Sequence, residues 1–199
     1  MGVLCMAALA LLGAGGCSSA TVTNTWKDPN FNGPIQFNKI VALVIYQDGT
    51  IRRAAEDAIV EQIGPHRAVA AYNIVSEEDR RDVQRLKAKF QSAGVDGAVT
   101  MKLLDKRNET TYVPGSPGYS SFYGYYGYGG YVGTPGYVVT DTIATVETRI
   151  YSVAQDKLLW SATTETYNPS NVRDDIRDIA KAIGEELRKQ KLVVEKPNK

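Results

Sequence analysis

The sequence predicts an α/β domain in which helices pack on a mixed β-sheet. Some segments alternate apolar and polar residues with the period of a strand, and others repeat apolar residues with the period of a helix. The two kinds of segment alternate in the first half of the chain, which favours parallel strands. Two neighbouring strand segments near the C-terminus predict an antiparallel hairpin. The predicted order is strand, strand, helix, strand, helix, strand, a long Tyr/Gly loop, strand, strand, helix.

Two strands are predicted before the first helix. Residues 20–26 alternate Thr21, Thr23 and Thr25 with other side chains, which indicates a short strand. A linker rich in Pro and Gly follows. Residues 37–46 form the second predicted strand, and its core from Ile40 to Ile45 is apolar at every position. A continuous apolar run is typical of a central strand that is covered on both faces.

The first predicted helix begins after Asp48-Gly49, with Thr50 as its expected cap, and ends at Gly64. Its apolar stripe contains Ile51, Ala54, Ala55, Ala58, Ile59 and Ile63. Residues 67–75 are predicted to form a strand. A second helix is predicted to start at Ser76, because a hydroxyl followed by acidic residues is typical of a helix N-terminus. Its buried face contains Val83, Leu86, Phe90 and Ala93.

The rest of the chain is predicted to form a strand at 97–104, a hairpin made of 138–151 and 157–167, and a final helix after Asn168-Pro169-Ser170. This helix carries the stripe Val172, Ile176, Ile179, Ile183 and Leu187. We expect one domain from residue 37 to 190. Residues 1–16 are predicted to be a signal peptide, and residues 17–36 a lipidated N-terminus, a short strand and a linker. A basic tail at 191–199 follows the domain, and its segment Leu192-Val193-Val194 could dock.

The predicted long loop has an unusual composition. Residues 110–140 contain no Asp, Glu, Lys or Arg, and tyrosines spaced by glycines fill their centre. We predict an insertion at 110–137, in which glycine gives flexibility and tyrosine gives a stacking face and a hydroxyl. Tyrosine-rich loops of this kind bind partners by adaptable aromatic contact. The candidate binding residues are Tyr119, Phe122, Tyr123, Tyr125, Tyr126, Tyr128 and Tyr131.

Three interpretations of this insertion remain open. It is a low-complexity segment without a fixed role, or a binding surface for a protein, a glycan or a membrane interface. Alternatively, it is a hairpin that assembles with other copies into a ring or pore. Single-stranded nucleic acid also stacks on aromatic residues, but the insertion lacks the Lys and Arg that hold phosphates.

The N-terminus has the pattern of an export signal. Residues 3–16 are apolar, too short to span a bilayer and of suitable length for a signal peptide. The small residues Gly15 and Gly16 precede Cys17, and Ser18 follows it. This pattern resembles the bacterial lipobox, although Ala14 stands where Leu is usual. The resemblance implies that Cys17 carries a lipid. It also implies, because Ser18 is not Asp, export to the outer membrane, and there we expect the protein on the periplasmic face.

Further segments extend the resemblance over nearly all of the mature chain. The lipobox, residues 25–29 (Thr-Trp-Lys-Asp-Pro), residues 157–161 (Lys-Leu-Leu-Trp-Ser) and the element order resemble a family of uncharacterised bacterial outer-membrane lipoproteins. The core is more distantly similar to the curli-secretion channel lipoprotein and to lipoproteins that activate penicillin-binding proteins. These resemblances imply a fold and a location, but no activity.

Composition argues against several functional classes. The net charge of +1 gives no long-range field for nucleic acid. Cys5 and Cys17 both lie near the N-terminus, so we predict no disulfide and no thiolate metal site in the body. His66 is the only histidine, and acid pairs at 77–78 and 174–175 match the first turns of predicted helices. We therefore predict no metal, no cofactor and no enzymatic activity.

The expected protein is a non-enzymatic, lipid-anchored component of the cell envelope. We expect it to present the Tyr/Gly insertion to an envelope protein or to peptidoglycan. The alternative is a structural subunit of an oligomeric outer-membrane assembly or secretion complex, in which copies of the chain associate with one another.

Overall fold

The sheet has six strands. The computed structural model describes residues 20–115 and 134–193. The strands are β1 (Ala20–Lys27), β2 (Ile40–Ile45), β3 (Ala68–Ala70), β4 (Gly97–Val113), β5 (Tyr137–Ser152) and β6 (Lys157–Tyr167). Their order is β1-β6-β5-β4-β2-β3. β2 pairs in parallel with β3 and β4, and the other pairs are antiparallel. The predicted fold class, helices on a mixed sheet, is confirmed.

Among the described residues, three α-helices pack on the sheet: α1 (Gly49–Ile63), α2 (Val83–Ser92) and α3 (Val172–Lys189). The main core lies between α1, α3 and the strands, and it includes Ile59, Trp160 and Ile183. A smaller core under α2 contains Val41 together with Leu86 and Phe90, which are partly buried. Within the described residues, no helix is long and apolar enough to cross a membrane.

The α3 stripe predicted from the sequence faces the core. Ile176, Ile179, Ile183 and Leu187 are all buried. The helix is capped by Asn171, whose side chain accepts from the Asp174 amide at 3.0 Å, and Asp174 and Asp175 occupy its first turn as predicted. The end of α3 reaches the edge strand, because Gln190 accepts from the Trp160 indole at 3.0 Å and donates to Thr25 at 3.2 Å.

The segments that flank the predicted domain belong to its sheet and core. β1 pairs with β6 along its length, from Ala20 opposite Thr166 to Lys27 opposite Trp160. The strand that we placed in a separate N-terminal segment, residues 17–36, is therefore an edge of the main sheet. At the other end of the chain, Leu192 is buried and its carbonyl accepts from the Ile35 amide at 2.7 Å. The predicted tail therefore packs against the domain at Leu192.

The cap and the buried face of α1 differ from the prediction. Asp48, and not Thr50, caps the helix and accepts from the amides of Thr50 and Ile51 at 2.7 and 3.0 Å. The buried face includes Arg52 and Glu56, whereas Ile51 is exposed. Ala54 of the predicted stripe is also exposed. Apolar periodicity fails here because two charged side chains occupy the inner face.

The predicted strand at 67–75 is confirmed in position but is shorter than predicted, and the predicted helix start at Ser76 is wrong. β3 has three residues, and a 3-10 turn at Ala71–Asn73 follows it. The Tyr72 amide donates to the Glu56 carboxylate at 3.1 Å and so cannot extend the pairing with β2. Ser76 hydrogen-bonds Asp79 around a second 3-10 turn, and α2 begins only at Val83 with Asp82 as its cap.

The strands on either side of the predicted insertion are longer than expected. β4 continues to Val113, and β5 begins at Tyr137. The insertion predicted at 110–137 therefore starts with strand residues, which pair in register from Thr110 opposite Thr140 to Val113 opposite Tyr137. The β5–β6 hairpin was predicted correctly.

Candidate functional site

Beyond the sheet, β4 and β5 continue as a two-stranded ribbon. β2 accompanies β4 only to Lys102, and β6 accompanies β5 only from Ile143 onward. Among the described residues, the pairs from Asn108–Thr142 to Val113–Tyr137 have no third strand beside them. We call residues 108–113 and 137–142 the arm. Six pairs at about 3.4 Å per residue make it about 20 Å long.

The arm forms because its residues favour extended backbone and pair across the ribbon. Thr and Val fill most of its positions, and β-branched side chains suit strands. The Thr110 and Thr140 hydroxyls lie 3.3 Å apart, and the Thr142 hydroxyl donates to the Asn108 side chain at 3.0 Å. An isolated two-stranded hairpin is only marginally stable in water. The arm therefore depends on its attachment to the domain.

Asn168 attaches the arm to the domain. Its backbone amide donates to the Thr142 carbonyl at 2.7 Å, and its side-chain oxygen accepts from the Thr142 amide at 2.9 Å. Its side-chain nitrogen donates to the Asp141 carboxylate at 2.7 Å. Asn168 has a φ of 49°, a left-handed conformation that asparagine tolerates better than most residues. Asn168 thus supplies hydrogen bonds to β5 at the position where β6 has ended.

Arg107 makes a second attachment at the base of the arm. Its guanidinium donates to the Glu165 carboxylate at 3.0 Å and to the Thr145 hydroxyl at 3.3 Å. The hydrogen bond to Glu165 raises the pKa of Arg107. β4 is thereby linked across β5 to β6 immediately before the arm begins.

The surface of the arm is both aromatic and acidic. Tyr112 is 64% exposed, and Tyr137 and Val138 are each 60% exposed. The Tyr112 ring lies against Gly136, where an added Cβ would overlap it. Glu109 and Asp141 sit directly opposite each other, which places two carboxylates side by side.

The predicted functional residues lie outside the described residues. Cys17 precedes β1, and residues 116–133 contain all the predicted binding residues, namely Tyr119, Phe122, Tyr123, Tyr125, Tyr126, Tyr128 and Tyr131. The structure does describe where the segment 116–133 begins and ends. A Cβ at Gly115 would overlap the Thr134 carbonyl, so the two flanks meet beyond the last pair of the arm.

An apolar crevice of about 230 Å³ lies near the base of the arm, between α1, α3 and the sheet. Its lining is mainly aliphatic and includes Val44, Ala55, Met101, Ile176 and Ile179. The polar side chains of the lining include Lys102, Lys106, Thr166 and Asp175. The Thr166 hydroxyl is buried and has no hydrogen-bond partner in the described chain. Burial raises the pKa of Asp175.

A larger groove of about 820 Å³ lies between α2 and the opposite face of the sheet. None of the residues of α2 is fully buried. Leu43, Phe90 and Tyr151 contribute to its lining. Lys87 and Asp156 form an ion pair of 3.0 Å across it.

Two charged residues of α1, Arg52 and Glu56, are buried. Glu56 is fully buried and accepts from the Val44 amide at 3.2 Å and the Tyr72 amide at 3.1 Å. Arg80 lies 3.6 Å from it, and Arg52 pairs with Glu77 at 2.5 Å. Burial raises the pKa of Glu56. These contacts satisfy backbone amides where β3 ends, so the cluster has a structural role.

Two sequence-level assignments of single residues change. We placed Glu77 in the first turn of a helix, but it precedes a 3-10 turn and pairs with Arg52. His66 is exposed in the turn between α1 and β3. Within residues 20–115 and 134–193, no group of three His, Cys, Asp or Glu side chains could hold a metal ion.

Sequence comparisons do not assign the chain to a family. No protein-family model matches it, and no curated protein matches it in sequence. Among solved structures, it is similar to the PelC dodecamer from Paraburkholderia phytofirmans, with 12% identity, a TM-score of 0.46 and coverage of 88% of this chain and 99% of that one. It is also similar to lipoprotein GNA1162 from Neisseria meningitidis, with 15% identity, a TM-score of 0.38 and coverage of 76% and 98%. Similarity at this level assigns no function.

Proposed function

We propose that this protein is a non-enzymatic, lipid-anchored binding module of the cell envelope, and that its arm presents the Tyr/Gly segment to a partner. One observation carries the proposal. The arm moves both ends of the segment 116–133 about 20 Å away from the last three-stranded part of the sheet. A tyrosine-rich segment held at that distance is accessible to a large partner, whereas one lying on the domain would compete with the domain surface.

The construction of the arm supports this role. Asn168 and Arg107 hold the base of the ribbon with five polar contacts, counting the bonds from Arg107 to Glu165 and Thr145. Beyond this base, Tyr112, Tyr137 and Val138 are exposed, whereas Val113 and Val139 are half-buried. A fixed base with an exposed far end is the arrangement expected of an element that contacts something outside the domain. Cys17, three positions before β1, supplies the proposed anchor.

The anchor is tested by changing Cys17→Ala and by inhibiting the lipoprotein signal peptidase with globomycin. We expect the variant to lose the mass of the lipid and to leave the membrane fraction. Unchanged processing and fractionation in both experiments would show that Cys17 is not the attachment site.

The binding role is tested by crosslinking in cells with three forms of the chain. The first is the wild type, and the second lacks residues 116–133. Because Gly115 and Thr134 are adjacent, this deletion closes the ribbon without disturbing its pairing. The third keeps the segment length but replaces its seven candidate aromatic residues with serine. A partner captured only by the wild type supports the proposal, and identical crosslinks from all three forms contradict it.

A second candidate function is supported by the unpaired edges of the arm. In the described chain, β4 beyond Lys102 and β5 before Ile143 have no strand neighbour on their outer sides, apart from the contact of Asn168. Open edges can pair with strands of another copy. This arrangement would make the chain a subunit of an assembly.

The two functions are separated by an armless variant, in which an Asn-Gly turn joins Asn108 to Thr142 in place of residues 109–141. We expect an assembly built on the edges of the arm to survive deletion of 116–133 and to be lost in the armless variant, as measured by mass photometry. A monomeric wild type would remove this second function and leave the first unaffected.

A further inference from the structure

The first strand begins at the end of the sheet from which the arm leaves. Ala20 pairs with Thr166, Thr166 pairs with Ala144, and Ala144 pairs with Lys106. This row crosses four strands and lies two pairs before the arm. The chain therefore enters the domain beside the base of the arm, and β1 then runs away from it. We call this side of the domain the arm end.

The short distance from Cys17 to Ala20 limits where a bilayer can lie. Three residues span at most about 11 Å when fully extended. The polar headgroup layer of one leaflet is about 5–8 Å thick. A lipid on Cys17 therefore holds the arm end close to the headgroups, whatever path the three residues take.

Exposed apolar side chains concentrate at the same end. The described residues include ten exposed large apolar or aromatic side chains, and eight of them lie at the arm end or on the arm. These eight are Ile45, Tyr46, Ile51, Leu104, Tyr112, Tyr137, Val138 and Tyr167. Trp26 and Val83 are the other two. Packing within the domain does not account for this uneven distribution, because all ten side chains face solvent in the described chain.

Positive charges accompany this group. Lys102 and Lys106 are exposed, and they line the same crevice as Tyr46 and Ile51. Tyrosine is enriched at membrane interfaces, and lysine extends its amine to the headgroups and is attracted by anionic lipids. Tyr46, Ile51, Lys102 and Lys106 thus combine the side chains that suit a headgroup layer.

The arm cannot enter the hydrocarbon core. Its two strands have open edges whose backbone groups would lose their hydrogen bonds with water there. Glu109 and Asp141 add two carboxylates, which are costly to bury in a bilayer. Tyr112 and Tyr137, in contrast, suit the interface. The arm is therefore compatible with the headgroup layer and not with a deeper position.

We infer that the arm end is a membrane-contact surface, formed by Tyr46, Ile51, Lys102 and Lys106, whose partner is the headgroup layer of the bilayer that holds the lipid on Cys17. This inference rests on the proposed lipid anchor. It deepens the proposed function, because an arm that lies along the membrane presents its far end to partners at the membrane surface and not to partners deeper in the periplasm.

The test uses the lipidated full chain in vesicles of phosphatidylethanolamine and phosphatidylglycerol. Apart from Cys17, no cysteine follows the signal sequence, so single spin labels can be placed through new cysteines. Ile51→Cys and Tyr112→Cys probe the arm end. Gln155→Cys, in the exposed turn between β5 and β6 at the other end of the sheet, is the matched control.

We expect the labels at 51 and 112 to gain oxygen accessibility, and to lose accessibility to a water-soluble nickel reagent, when vesicles are added. The label at 155 should show neither change. Lys102→Gln and Lys106→Gln, made together, should reduce the effect at 51, whereas Lys27→Gln at the other end of the sheet should not. All three lysines are exposed, so every form should fold.

The possible results separate the two proposals. A lipidated protein whose label at 51 remains as accessible to nickel as the label at 155 overturns the membrane-contact surface and leaves the anchor intact. A chain without lipid by mass spectrometry overturns both. A lipidated protein that shows the contrast between 51 and 155 supports the inference even if no protein partner is captured by the Tyr/Gly segment.

Discussion

The side-chain amide of Asn168 donates to the carboxylate of Asp141 at 2.7 Å, while the carbonyl oxygen of the same amide accepts from Thr142. An ordinary asparagine side chain thereby continues the pairing of β5 by one residue after β6 has ended. On the side of β5 that β6 leaves open, this side chain helps to attach the arm to the domain, since among the described residues only β4 pairs with β5 before Ile143.

Asn168→Gly should loosen the base of the arm. Glycine adopts the φ of 49° without strain, so the change removes only the side chain. Loss of one hydrogen bond of about 1 kcal/mol should speed hydrogen exchange at the Thr142 amide by about fivefold. Asn171→Gly at the α3 cap is the control and should leave Thr142 unaffected. Unchanged exchange at Thr142 in Asn168→Gly would contradict the attachment.

Glu56→Gln should destabilise the domain. The two carboxylate oxygens accept from the amides of Val44 and Tyr72, whereas glutamine offers one oxygen and would turn an NH₂ group toward the other amide. We expect a loss of about 1–3 kcal/mol in the free energy of unfolding, measured with urea. The control is Glu61→Gln, on the exposed side of α1, which should change stability by less than about 0.5 kcal/mol.

The contribution of Glu56 should also depend on pH. Burial raises the pKa of Glu56 in the folded protein above its ordinary value of 4.5. The folded state then binds the proton more strongly than the unfolded state, so the proton-linked part of this contribution is fully present below pH 4.5 and is lost as the pH rises through the raised pKa, while the two amide hydrogen bonds persist. The advantage of wild type over Glu56→Gln should therefore decrease with rising pH. A wild-type advantage that grows with pH would show that the charges of Arg80 and Arg52 lower the pKa of Glu56 by more than burial raises it.

Gly97→Ala should strain the start of β4. An added Cβ would overlap the ring of Phe37, which lies over this glycine. Overpacking of this kind costs about 1–3 kcal/mol. In Phe37→Leu the same Gly97→Ala change should cost less, because the smaller side chain can move aside. Equal costs in both backgrounds, measured by thermal unfolding, would show that the ring does not restrict position 97.

The two tryptophans should report different environments. Trp160 is 0% exposed, and its indole donates to Gln190, whereas Trp26 is 46% exposed on the edge strand. The fluorescence of Trp26→Phe, which retains only Trp160, should lie at shorter wavelength than that of Trp160→Phe. Denaturation in urea should remove the difference. Emission at the same wavelength in the folded variants would contradict the packing of β6 against α3.

The elements that were predicted correctly from the sequence are those in which the apolar periodicity matches the buried face. In α3, Ile176, Ile179 and Ile183 recur at helical spacing and face the core. In α1, the inner face includes Arg52 and Glu56, whose partners Glu77, Val44 and Tyr72 lie in other segments. Composition cannot indicate such partners, because they meet only after folding, and the predicted stripe on α1 was therefore partly wrong.

The β4 side of the arm was missed for a related reason, whereas residues 138–142 fall in a predicted strand. Thr110 to Val113 lack the apolar alternation of a buried strand, because Thr110, Thr111 and Tyr112 are exposed and Val113 is only half-buried. Their pairing with residues 137–140 depends on register set by the sheet, which local sequence does not reveal. The roles of Cys17 and of the tyrosines in the segment 116–133 remain predictions, since these residues lie outside the described part of the chain.

The pairing of β1 with β6 has a consequence for the order of events during secretion. If the predicted signal sequence directs the chain across the inner membrane with its N-terminus first, β1 emerges at the start of translocation. Its partner, residues 157–167, emerges near the end. Contacts this distant in sequence form slowly, because closing a long loop costs conformational entropy before the contact can stabilise the fold. A lipid on Cys17, as proposed, would then be attached before β1 has paired with β6, and β1 would be the last strand to join the sheet.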